Sequence, residues 1–119
     1  MYSRALFDII HTSGNTILRL LVALEGGADE LFASTNTLTT IEDHLYNVAH
    51  TLAHFPPVLL LRLPQVDWHG WEAVHRALRD KSTDRRDVVW FALCSLLPAT
   101  LVLLDQLRSQ EPEWFEIQY

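Results

Sequence analysis

The spacing of the apolar residues constrains this chain more than any other feature of its sequence. In the N-terminal part, the residues that follow a spacing of three and four are Leu6, Ile9, Ile10, Ile17, Leu20, Leu21 and Leu24. Side chains with this spacing lie on one face of an α-helix, and this helix is expected to stop at Gly26 and Gly27. No segment alternates with the period of two that marks a half-buried β-strand. The pattern therefore predicts an all-α protein.

A second long helix is predicted between Ile41 and the proline pair Pro56 and Pro57. The preceding segment, 35–40, is rich in threonine, whose hydroxyl group favours the N-cap position. The residue before a proline is pushed out of the helical region, so the proline pair is expected to end the helix. Its polar face is expected to carry Asp43, Asn47, His50 and His54, opposite the apolar residues.

Two further helices are predicted in the C-terminal half, over residues 68–79 and from about 84 to about 108. Thr83 or Asp84 can cap the last helix. Pro98 lies inside that helix and should kink it, because proline lacks a backbone donor and crowds the carbonyl group of Cys94. The simplest arrangement of these elements is an antiparallel bundle of four to five helices.

Length and composition predict one packed domain over residues 1–119. The chain has 119 residues, of which 49% are hydrophobic, and this is enough for a core without metal or disulfide crosslinks. Cys94 is the only cysteine, so an intrachain disulfide is impossible, and its apolar neighbours favour a small buried residue. The N-terminus shows no secretory signal, since Asp8 and His11 interrupt its apolar stretch. We therefore expect a cytoplasmic protein.

Charge and hydropathy exclude two classes of function. The net charge of −6 argues against a general nucleic-acid binder, although a local basic patch remains open. The apolar run 88–104 is interrupted by Ser95, Pro98 and Thr100 and is shorter than the roughly 20 residues that a membrane span requires. It is expected to form a buried helix without membrane contact. That helix is apolar on more than one face, which predicts a homodimer.

The C-terminal half carries a pattern of tryptophans and prolines with defined distances. Its members are Leu63, Pro64, Trp68, Trp71, then Asp87, Val88, Val89, Trp90, and finally Leu97 and Pro98. In order and spacing this pattern resembles the HepT-like branch of the HEPN superfamily, and the earlier helices fit the same likeness. The resemblance covers nearly the whole chain and implies a HEPN-like helical fold. The three tryptophans are interpreted as core or interface anchors rather than as platforms for base stacking.

The resemblance also implies where a ribonuclease site would lie. Family members carry an Arg that steadies the phosphate charge and, four to six residues later, a His that moves protons. In this chain the Arg position falls on His75 or Arg76, and the His position falls on Asp80 or Lys81. The only histidines of this stretch, His69 and His75, precede every Arg in it. We therefore expect the family's ribonuclease chemistry to be absent.

The arginines of this region allow two interpretations. The four candidates for a remaining RNA- or phosphate-binding patch are Arg76, Arg79, Arg85 and Arg86. The alternative is a solvated turn in which Asp80, Asp84 and Asp87 neutralise these arginines through pairs of the i, i+4 kind. His75 is interpreted as a surface histidine beside Arg79, and its alternative role is an imidazole in the Arg position.

Histidines on the second long helix provide another candidate site. His50 and His54 share a helix face, and with Asp43 or Asn47 nearby they could bind a metal ion. The simpler interpretation is a solvated helix face without metal. The resemblance places His50 near a position where relatives carry a Glu.

Two classes of function follow from these patterns. The first is a degenerate HepT-like protein that acts as a dimeric binding module of a toxin–antitoxin-type system, paired with an MNT-type nucleotidyltransferase and without a cofactor. The second is an enzyme, either a divergent ribonuclease that uses His50, His75 and the arginines, or a metal-dependent bundle that uses His44, His50 and His54. The missing motif histidine favours the binding module. The family's Tyr, a site of adenylylation, is replaced by Ser82 or Thr83.

Overall fold

A computed structural model of the protein describes residues 3–80 and 83–110. Most of these residues lie in helices. They are α1 (Ser3–Val22), α2 (Gly27–Ala33), α3 (Thr35–Ala53), α4 (Pro57–Arg62), α5 (Trp68–Asp80) and α6 (Arg85–Gln110). These described ranges contain no β-strand, so the predicted all-α class is confirmed. Two short helices, α2 and α4, lie between the long ones.

The first long helix ends slightly earlier than the glycine pair. α1 stops at Val22, and Gly27 begins α2 with a φ of 65°, in the left-handed region that favours glycine. The carboxylate of Glu30 stabilises this turn, because its Oε2 accepts hydrogen bonds from the backbone N–H groups of Glu25 and Gly26, at 2.8 and 2.6 Å. Gly27 thus permits the change of direction between α1 and α2.

The predicted start of the second long helix was wrong by six residues, because α3 begins at Thr35 and not at Ile41. Ser34 takes the N-cap position. The threonines continue the helix: the Oγ1 of Thr40 donates to the carbonyl oxygen of Asn36 at 3.0 Å, a bond that satisfies the hydroxyl group inside a helix. The C-terminal end agrees with the prediction, since α3 stops at Ala53, shortly before the proline pair.

Pro98 acts on α6 through a local change of helical winding. Residues Ala92–Leu96 form a π-helical turn, in which the N–H of Leu97 donates to the carbonyl oxygen of Ala92. A wider turn directly before a proline accommodates the missing N–H and the ring without ending the helix. Cys94 lies in this turn and is exposed, so the prediction that it is buried was wrong.

Buried apolar side chains from all six helices form one core. Its largest fully buried members are Trp71, Phe7, Ile10, Ile17, Leu31, Ile41, Leu45, Leu52, Leu59, Leu93, Leu97 and Leu104. α3 packs against both α1 and α5, and α5 also packs against α6. A hydrogen bond of 2.8 Å from the indole Nε1 of Trp71 to the Oγ1 of Thr100 ties α5 to α6 inside the core. This packing sets the position of α5 relative to α3.

α6 is long and apolar enough, by length and composition alone, to cross a membrane, and no other helix in the described part of the chain meets that test. Of its most apolar window, 44% is buried inside the protein. Core helices of soluble proteins meet the same test. The buried share of α6 is its contribution to the common core, with Leu93, Leu97 and Leu104.

Candidate functional site

The segment that the resemblance assigns to ribonuclease chemistry forms the second half of α5. His75 is half-buried, whereas Arg76, Arg79 and Asp80 are exposed. Of the two positions considered for the missing histidine, Asp80 is the last residue of α5, and Lys81 lies outside the described residues, as does Ser82. The side chain available at the end of α5 is therefore a carboxylate.

Each of the four candidate phosphate-binding arginines has a carboxylate partner. The pairs are Arg76 with Glu72 at 3.1 Å, Arg79 with Asp80 at 3.0 Å, Arg85 with Glu42 at 2.8 Å, and Arg86 with Asp29 at 2.9 Å. The sequence pattern pointed to Asp80 but not to Glu72, Glu42 or Asp29. Asp29 lies on α2 and Glu42 on α3. Both are far from Arg85 and Arg86 along the chain, so the spacing of charges within one helix could not predict these pairs.

Asp80 is held in its ionised form. The hydrogen bond from Arg79 lowers the pKa of Asp80, and the same contact raises the pKa of Arg79. An ionised carboxylate has no proton to give to a leaving oxygen, and its charge repels a phosphate. Near neutral pH Asp80 is thus unsuited to donate a proton to a leaving group.

Three histidines from α3 and α5 meet at one place, which we call the imidazole cluster: His50, His54 and His75. The Nδ1 of His50 lies 3.3 Å from the Nε2 of His75, across the two helices. The ring centroids of His50 and His54 are 4.4 Å apart, and the Nδ1 of His54 donates to the carbonyl oxygen of His50 at 2.8 Å. Tyr46 packs beside both His50 and His75, at 5.4 and 5.2 Å between ring centroids.

The surroundings of His75 favour its neutral form. Its pKa is lowered, first because burial removes solvent from the ring, and then because the charges of His50 and Arg79 are close. His75 lies near Arg79 on α5, is half-buried, and also contacts His50 on α3. The sequence showed the i, i+4 pair His50 and His54, but the third imidazole comes from another helix and could be found only once α5 was placed against α3.

His44 lies apart from the imidazole cluster. Its Nδ1 contacts the Oγ of Ser13 on α1 at 3.3 Å, so the predicted combination of His44 with His50 and His54 is not brought together. Asp43 and Asn47 are exposed on α3. Over residues 3–80 and 83–110, no group of three or more His, Cys, Asp or Glu side chains is placed so that it could hold a metal ion.

An apolar cleft of about 520 Å³ adjoins the imidazole cluster between α3, α4 and α5. Its lining residues are Ala49, Leu52, Ala53, Leu60, Leu61, Pro64, Trp68, Trp71, Glu72 and His75. Trp71 is buried, as expected of a core anchor, and the half-buried Trp68 donates from Nε1 to the carbonyl oxygen of Leu63 at 3.0 Å. Two apolar residues of α4, Leu60 and Leu61, line the cleft, and Leu61 remains 80% exposed.

The cleft can accept apolar groups, and His75 and Glu72 offer polar contacts to whatever enters it. Glu72 forms an ion pair with Arg76, so the imidazole of His75 is the polar group of the lining that carries no charge in its neutral form.

Comparisons with protein-family models, with curated proteins and with solved structures find no match for this chain.

Proposed function

We propose that this chain is a HepT-like module with a HEPN-type antiparallel bundle that has lost the family's ribonuclease site and works by binding. The observation that carries the proposal is the state of Asp80. This side chain stands at one of the two positions, Asp80 and Lys81, where the resemblance requires an imidazole, and it is paired with Arg79 at 3.0 Å. A carboxylate in an ion pair with Arg79 thus occupies one of the two positions for the residue that would move a proton, and the Arg76 candidate is paired with Glu72 at 3.1 Å.

The other arginines support the same conclusion. A phosphate would have to displace a carboxylate from Arg76, Arg85 or Arg86 before it gained a charged partner. The contact of Arg85 with Glu42 is the best sheltered of these, since both side chains are largely buried. An RNA-binding patch made of these arginines is therefore weakened at each position.

The exposed face of α6 supports a homodimer. Most of the apolar residues of this helix are used in the core, but Phe91 and Val102 remain 52% and 55% exposed. Cys94 lies on the helix between them and is also exposed. Large apolar side chains on one exposed helix are typical of a surface that a symmetric partner covers.

The partner and the location are proposed from the resemblance. We propose an intracellular complex with an MNT-type nucleotidyltransferase, which HepT-like proteins often accompany. Thr83, one of the two positions for the family's Tyr, carries no phenol that could be adenylylated. The interaction is therefore proposed to work without that modification, and a nucleotidyltransferase gene beside this one would support it.

One observation favours a second candidate, a divergent ribonuclease. His50 and His75 are 3.3 Å apart, and two imidazoles on facing helices can act as an acid and a base. In this arrangement His75 would precede Arg76 and Arg79 on α5 instead of following them, and His50 would come from α3. The guanidinium groups would then have to leave their carboxylates to reach the substrate.

An RNA cleavage assay separates the two candidates. Single-stranded and structured RNA are incubated with the wild type and with His50→Ala, His75→Ala and Arg76→Ala, with His69→Ala as the matched control on an exposed position of α5. We expect no cleavage above background by any of these proteins. Cleavage by the wild type that is lost in His50→Ala or His75→Ala, and kept in His69→Ala, would establish the ribonuclease in place of the binding module.

A further inference from the structure

The apolar cleft between α3, α4 and α5 has the size of a small-molecule site. Its volume of about 520 Å³ lies within the range of roughly 300–1,000 Å³ that such sites occupy. Two alanines of α3, Ala49 and Ala53, and two leucines of α4, Leu60 and Leu61, contribute to its apolar lining. Both leucines are exposed, so apolar surface faces the solvent at this cleft. A ligand that covered this surface would gain the free energy of apolar burial.

Two indole rings of α5 also line the cleft, and both use their N–H groups inside the protein. The Nε1 of Trp68 donates to the carbonyl oxygen of Leu63 at 3.0 Å, and the Nε1 of Trp71 donates to the Oγ1 of Thr100 at 2.8 Å. The indoles therefore contribute ring surface, and no hydrogen bond, to a ligand. Aromatic rings prefer offset-stacked or edge-to-face contacts with one another, so this wall favours an aromatic ligand.

The charges of the lining favour an uncharged ligand. Two titratable side chains line the cleft, Glu72 and His75. The carboxylate of Glu72 pairs with Arg76 at 3.1 Å, so a charged ligand of either sign finds no unpaired counter-ion there. Burial and the nearby charges of His50 and Arg79 lower the pKa of His75, which favours a neutral imidazole. A charged group would therefore leave water for this cleft without compensation.

We propose that this cleft binds an uncharged aromatic small molecule that carries one hydroxyl or carbonyl group. The ring system packs against Trp68 and the leucines of α4, and the polar group forms a hydrogen bond with the imidazole of His75. The Nε2 of His75 contacts the Nδ1 of His50 at 3.3 Å, which leaves the Nδ1 of His75 for the ligand, as donor or acceptor according to the tautomer. None of the lining residues lies on α6, so the ligand leaves free the surface proposed for the dimer and adds a second kind of binding to the proposed function.

Calorimetric titration with three naphthalene derivatives tests the chemical class of the ligand. The compounds are 2-naphthol, 2-naphthoate and 2-naphthylmethylammonium, which share one ring system and are neutral, negative and positive near neutral pH. We expect the wild type to bind one molecule of 2-naphthol per chain. Both ions should bind about tenfold more weakly or worse, because their charged groups lose water without gaining a partner.

Two pairs of variants test whether 2-naphthol binds in this cleft. Ala53→Phe fills the cleft from an exposed position of α3, and Ala73→Phe makes the same change at an exposed position of α5 outside the lining. His75→Phe keeps a ring but removes both nitrogens, and His69→Phe is its control on an exposed position of the same helix. We expect Ala53→Phe to weaken binding by about tenfold or more, His75→Phe to weaken it by about three- to tenfold through the lost hydrogen bond, and both controls to bind as the wild type does.

Two results would overturn the proposal. One is a wild type that shows no saturable binding of 2-naphthol, or that binds either ion as tightly. The other is binding that Ala53→Phe or His75→Phe leaves unchanged, or that the controls weaken equally, because the ligand would then lie elsewhere on the surface. All four variants change side chains that are exposed or half-buried, so circular dichroism should show an unchanged fold in each.

Discussion

Replacing Thr100 by valine tests how α5 is held in position beneath the imidazole cluster. The Nε1 of Trp71 donates to the Oγ1 of Thr100 at 2.8 Å, and both residues are only 2% exposed. Valine has nearly the shape of threonine but no hydroxyl group, so the substitution leaves the indole N–H buried without an acceptor. An unsatisfied buried donor costs about 1–3 kcal/mol of folding free energy.

The expected loss can be expressed as a melting temperature. Unfolding entropy is about 2.1 cal/mol/K for each residue, and for the 119 residues of this chain it amounts to about 0.25 kcal/mol/K. Valine also avoids burying a hydroxyl group, which offsets part of the loss, so we expect about 1–2 kcal/mol. The corresponding fall in the melting temperature is roughly 4–8 °C.

A double-mutant cycle isolates the hydrogen bond from packing. Urea denaturation followed by far-UV circular dichroism gives the free energies of unfolding of the wild type, Thr100→Val, Trp71→Phe and the double variant. Phenylalanine has no N–H, so Thr100→Val should be nearly neutral in the Trp71→Phe background. An equal cost of Thr100→Val in both backgrounds would refute the reasoning, because it would show that the hydrogen bond does not stabilise the fold.

Two further predictions concern α6. The wild type should be a dimer by light scattering at micromolar concentration. The double variant Phe91→Asp/Val102→Asp should be a folded monomer. A monomeric wild type would contradict the proposed dimer surface. Loss of solvent around its sulfur raises the pKa of the Cys94 thiol. Because the thiolate is the form that reacts, the alkylation rate should rise with pH, and the midpoint of this rise should lie at a higher pH in the folded protein than in urea. Equal midpoints would contradict this. The same shift means that Cys94 adds stability at low pH, which is lost as the pH rises above the thiol's pKa in the unfolded chain.

The fold class followed from the sequence, because the apolar spacing is a local property of each helix. The proline pair marked the end of α3, and Pro98 marked a disturbance in α6. The errors arose where two local signals compete. The threonines before Ile41 can cap a helix or lie within it; here they lie within α3, and the hydroxyl group of Thr40 bonds to a carbonyl oxygen of the same helix.

The candidate site was less accessible from the sequence. The absence of a histidine after the arginines was visible directly, and so was the spacing of His50 and His54. The contact with His75 joins residues that are 25 positions apart, and the partners of Arg85 and Arg86 are 43 and 57 positions away. Such contacts depend on how helices pack, and no local pattern specifies them.

His75 and Asp80 point in different directions from α5. Residues 75 and 80 are five apart, so at about 100° per residue their side chains point in directions that differ by about 140°. His75 points to α3 and meets His50, whereas Asp80 lies beside Arg79 on the exposed side. Arg79 follows His75 by four residues, so it lies near His75 on α5, and its charge is close to the imidazole of that residue.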